Sequence, residues 1–161
     1  MDAGEAEDVI TGYELLKFLH VLFAIVAVGF NASYAIWLRR AARAPEHQSF
    51  ALRGVKVLDD RFANPAYALL LVTGLIMVLT TPGLDLTTFW VLVALILYVV
   101  TVAVAAGVYT PTLRKQIEVL EAEGPASARY RALARRSTVS GVALGVIVVV
   151  IVFLMVTKPT L

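Results

Sequence analysis

Four apolar stretches, each long enough to cross a lipid bilayer, constrain this chain more than any motif in it. They run over about 13–38, 66–81, 88–109 and 138–157. At 1.5 Å per residue the first gives roughly 39 Å of helix, enough to cross ~30 Å of hydrocarbon while tilted. All four are longer than barrel strands and none alternates polar with apolar residues, so helices are expected. The expected fold class is all-α, a bundle of four transmembrane helices. Composition agrees, since 60% hydrophobic and 16% charged residues, with a mean hydropathy of +0.82, leave too little polar surface to cover a water-soluble core.

The charges orient the bundle. Arg39, Arg40, Arg43, Arg53, Lys56 and Arg61 lie between the first and second stretches. Arg114, Lys115, Arg129, Arg131, Arg135 and Arg136 lie between the third and fourth, which leaves only Lys17 and Lys158 of the 14 basic residues elsewhere. The connection TPGLDLTT between the second and third stretches carries no Lys or Arg. Positive residues stay on the cytoplasmic side, so both long loops are expected in the cytoplasm and both chain ends outside it. This is the pattern of a multi-pass protein of a bacterial inner membrane. An acidic extracytoplasmic tail is expected at 1–12, followed by one transmembrane domain over 13–161. The tail has no basic n-region or cleavage pattern, so the first stretch reads as a retained anchor.

Both basic loops carry amphipathic helical patterns. In 48–62, Phe50, Leu52, Val55, Val57 and Leu58 are interleaved with basic residues. In the second loop, 113–123 extends the third stretch, Gly124-Pro125 breaks it, and 126–136 restarts a helix. Such helices rest on the membrane interface, where they can meet anionic lipid head groups, a membrane-protein partner or a second copy of the chain. The net charge of +2 and pI near 9.0 do not indicate nucleic acid, because the basic residues flank apolar spans and mix with Asp and Glu. The endings LIMVLTTPGL and VFLMVTKPTL are alike, as in a duplicated hairpin.

The first span holds the residues closest to chemistry. Tyr13, Lys17, His20, Ala24, Ala27, Asn31 and Tyr34 recur at alternating spacings of four and three, which places the strongly polar side chains on one stripe. Unsatisfied polar groups are costly in hydrocarbon, so the stripe is expected to face the bundle interior. Lys17 reads as a snorkelling anchor, and Asn31 and Tyr34 as interhelical hydrogen-bonding groups. His20 is the one histidine within a span; His47 belongs to a loop. An imidazole there needs a partner, either a neighbouring helix or a metal. Met77 and Met155 lie in the same outer half, and His with Met suits haem iron or Cu(I). His20, Met77 and Met155 are therefore the candidate cofactor ligands, with His20 the candidate metal ligand. In the fourth span, Ser137, Gly141 and Gly145 form a small-residue stripe expected to pack closely, with Gly29 and Gly74 serving the same purpose elsewhere.

The chain has no cysteine, which excludes disulfides, thiolate metal sites and covalent c-type haem. Within the spans there is no carboxylate, Glu14 and Asp85 lying at the edges, so a carboxylate proton relay is not expected there.

YELLKFLHVLFAIVAVGF, RFANPAYALLLVTGL and FLMVTKP resemble the bacterial integral membrane proteins grouped as domain of unknown function 2269, over nearly the whole chain. That family carries no assigned activity. LKFLHVL is also similar to copper-resistance protein D and to HemJ-type membrane proteins, and His20 stands at the position of the first-span histidine that helps hold haem b in the latter. The HemJ type also needs a lysine after a tryptophan in a later span; here Trp90 is followed by Ala94 near that position, and the third span contains no basic residue. The resemblance implies haem b or copper at His20. Against it stands a non-catalytic accessory or structural subunit in which His20 bonds a neighbouring helix.

Overall fold

The computed structural model describes residues 11–159, and all the regular structure among them is helical. Residues 1–10, most of the expected acidic tail, lie outside that range. Helix α1 (Gly12–Ala41) is the first span. It starts in a capping box, where the Thr11 hydroxyl accepts the Glu14 N–H and the Glu14 carboxylate accepts the Thr11 N–H at 2.8 Å. A short 3₁₀ turn (Pro45–His47) leads to α2 (Gln48–Leu58), a π turn (Asp59–Ala63) and α3 (Asn64–Thr80). After the connection 81–88 come α4 (Phe89–Val104), a second π turn (Ala105–Tyr109), α5 (Thr110–Glu123) and α6 (Ala128–Thr157). Ser127 caps α6 by accepting the Tyr130 N–H at 3.0 Å, and Gly124, at φ +79°, ends α5 where a side chain would be strained.

One helix is longer than the sequence suggests, and another is extended as expected. The loop helix 48–62 is continuous with the second span, and 113–123 continues the third, so 45–80 and 89–123 are single rods interrupted only by π turns. Each π turn is followed by X-Pro, Asn64-Pro65 in one rod and Thr110-Pro111 in the other. Proline lacks an N–H and crowds the carbonyl four residues before it. Widening the preceding turn relieves both problems, so both rods pass Pro65 and Pro111 unbroken through π turns.

Within each hairpin the spans pair closely, α1 on α3 and α4 on α6. Helices α2 and α5 pack on each other, α5 also packs on α6, and α1 touches α6 along a smaller seam. Small residues close the span contacts: Ala27, Ala63, Ala66 and Ala94 are buried. The largest cluster of bulky buried residues sits at the end carrying the basic loops, where Tyr34, Leu52, Val55, Tyr109, Leu113, Ile117 and Leu120 meet. Outward-facing side chains such as Phe18, Ile25, Leu79, Phe153 and Val156 are exposed, as lipid-facing residues are. At the opposite end Lys158 lies 5.5 Å over the Trp90 ring, tying the end of α6 to the start of α4.

Candidate functional site

From His20 inward, the polar stripe of α1 faces the other helices. Tyr13 and Lys17 are exposed near its start, His20, Ala24 and Asn31 are half-buried, and Ala27 and Tyr34 are buried. His20 meets α3 one turn before Met77. Its Nδ1 is 2.9 Å from Oγ1 of Thr73, and its Cε1 lies against Gly74, where a β-carbon would stand only 2.9 Å away. The Thr73 hydroxyl has one proton and a carbonyl partner at 2.8 Å in Leu69, with Leu70 at 3.1 Å. With that proton on the carbonyl, Nδ1–H of His20 donates to Oγ1 and Nε2 keeps its lone pair.

Farther along, Asn31 donates from Nδ2 to the Ala27 carbonyl at 2.9 Å and to the Tyr67 hydroxyl at 3.1 Å. The Tyr98 hydroxyl donates to the Tyr67 carbonyl at 3.0 Å, bringing α4 to α3. The stripe is thus used for bonds between helices. Met77 and Met155 are both half-buried. Met77 shares α3 with His20's partner, whereas Met155 lies on α6, which packs mainly on α4 and α5. Among the described residues no three His, Cys, Asp or Glu side chains gather as a ligand set.

The small-residue expectations divide. Gly74 receives the imidazole edge, and Gly141 meets the Tyr109 ring with 3.4 Å to a built β-carbon. Gly29 and Gly145 face open space. Helical spacing aligned Gly145 with Ser137 and Gly141, but α6 turns that end of the stripe away from its neighbours.

A second polar cluster, in the segment expected as an amphipathic interface helix, lies at the first π turn. Asp59 is only 7% exposed. Its described hydrogen-bond partner is Asn64, donating at a long 3.4 Å, while neighbouring Lys56 pairs with Asp60. Burial pushes the Asp59 carboxyl above the usual range, and Asp60 beside it acts in the same direction against Asn64 and Lys56. The turn that holds it packs on α1, the helix of Tyr34. The Tyr34 hydroxyl is buried without a hydrogen-bond partner. A signal for this was present: Leu52, Val55, Asp59, Ala63 and Ala66 fall on one helical face once 48–80 is read as continuous.

On the surface at the basic end, Glu121 accepts from Arg53 at 2.8 Å and Ser49 at 2.9 Å, which holds its carboxyl below the usual range and clips α2 to α5. A shallow groove of about 360 Å³ runs between the second π turn and α6, lined by Val108, Val139 and Ala143 with Arg135 and Arg136 at its edge.

Comparison with known proteins gives one family. The model described as "Predicted integral membrane protein (DUF2269)" matches residues 14–159. No curated protein and no solved structure matches the chain.

Proposed function

The chain belongs to the DUF2269 family of predicted integral membrane proteins, and from that premise we propose that it is a non-catalytic accessory or structural subunit of a bacterial inner-membrane complex. It forms a single transmembrane domain over 13–161, with the basic loops in the cytoplasm. The observation that carries this reading is the use of the α1 polar stripe: His20 bonds Thr73, and Asn31 bonds Tyr67. Such bonds contribute about 0.6 kcal/mol on average in membranes and fix helix register more than they add stability. The basic end would meet the partner or a second copy through α2 and α5. The groove beside Arg135 and Arg136 suits an anionic lipid, its head group on the guanidinium groups and its acyl chain along Val108, Val139 and Ala143.

One feature favours a second reading. With Nδ1 bonded to a hydroxyl, His20 has the second-shell support typical of a metal-binding histidine and a free Nε2. His20 would hold haem b or copper, with Met77 or Met155 as a soft second donor; the group would supply one-electron chemistry. His20→Gln separates the readings. An amide can replace the bond to Thr73, so a clasp predicts a thermal midpoint in detergent close to wild type, and a clear loss for His20→Leu. Equal losses in both variants would contradict the clasp.

A further inference from the structure

We propose that Asp59 is a proton-binding site at the basic end of the bundle. The starting observation is a mismatch of charge. A carboxylate this buried ordinarily has a cationic partner or loses its charge. The nearby ammonium, Lys56, pairs with Asp60, and Asp59 has only one long bond from the Asn64 amide.

The groups around Asp59 come from every element packed there. Helix α1, packed on its turn, brings Tyr34, whose buried cluster includes Tyr109, α3 brings Tyr67, and Lys56, Asp60 and Asn64 flank it in its own rod. None of the three facing groups from other elements is a cation. Tyr34 is 4% exposed, and its hydroxyl lacks a partner. Since it makes no bond to Asp59, it does not stabilise the ionised carboxyl, and the uncharged form is the one this burial favours.

The same set is poor for a metal cation. Asn64 turns its NH₂ to Asp59, and a hard cation requires several oxygen ligands converging on one point. A proton needs one oxygen. It arrives from the solution at the exposed Asp60 side, forms an O–H bond on Asp59, and returns to that solution when the bond breaks. Asp59 opens the first π turn. Proton uptake would therefore be felt where its rod is least regular.

Infrared titration of the full chain in nanodiscs tests the proposal. As pH rises, the protonated-carboxyl band of Asp59 should be the last of the carboxyl bands to disappear, and Asp59→Asn should lack that late component. Asn64→Leu keeps the carboxyl but removes the amide that bonds its ionised form, and should move the late band to still higher pH, which serves as the test if Asp59→Asn does not fold. A late band surviving in Asp59→Asn, the absence of any late band in wild type, or no upward move in Asn64→Leu would overturn the proposal. So would a band removed by exchanging potassium for sodium at constant pH, since the bound species would then be a sodium ion.

Discussion

At Gly74 a hydrogen atom stands where any other residue would set a carbon 2.9 Å from the imidazole edge of His20. Gly74→Ala should therefore displace the ring and cost about 1–3 kcal/mol, the usual range for overpacking a tight contact. The measurement is thermal unfolding in detergent, with Gly74→Ala/His20→Ala alongside. Coupling between the two sites should appear as a double-mutant loss smaller than the sum of the single losses. Gly145→Leu makes the opposite forecast. With nothing within 4 Å of its built β-carbon, it should leave the midpoint unchanged, and a drop would show a neighbour there. Periodicity alone treats Gly74, Gly141 and Gly145 alike. It aligns residues on a face but does not say where along the face the next helix diverges.

At the scale of elements, the spans and polar stripe were legible because hydrocarbon imposes strong rules: long apolar runs, polar groups turned inward, basic residues at one end. The joins were not. Asn64-Pro65 reads as a start and Thr110-Pro111 as a kink, because an α-helix poorly tolerates an interior proline. The π turns absorb both prolines and keep the rods intact. That continuity carries Asp59 into the buried face, which is why a residue assigned to a loop proved to be enclosed. Each π turn already absorbs one extra residue, so an alanine inserted after Leu58 cannot be taken up there and should rotate α2 by roughly 100° about the rod. Leu52 and Val55 would then leave the Leu113 and Ile117 contact. The expected result is a lower midpoint and less monodisperse protein on gel filtration. An alanine inserted after Ala42, in the turn after α1, should be tolerated better; equal effects would show that register at the π turn does not matter.

For the whole molecule, the orientation rests on six basic residues in each of two loops at one end of the bundle. The chain lacks cysteine, so single cysteines can report topology directly. Those replacing Ala44 and Ser127 should resist an impermeant thiol reagent in intact cells, and one replacing Gly83 should react; the reverse pattern would invert the protein. The larger question is whether this bundle is held together by His20 or built around a ligand on it. The structure accounts for Nδ1 with a helix-to-helix bond, and among the described residues no set of three His, Cys, Asp or Glu ligands gathers. The most direct measurement is the optical spectrum and metal content of protein purified from its native membrane, for wild type and His20→Ala. An internal clasp predicts no Soret band and no stoichiometric copper in either protein. A Soret band or stoichiometric copper in wild type that His20→Ala removes would contradict it and identify His20 as a cofactor ligand.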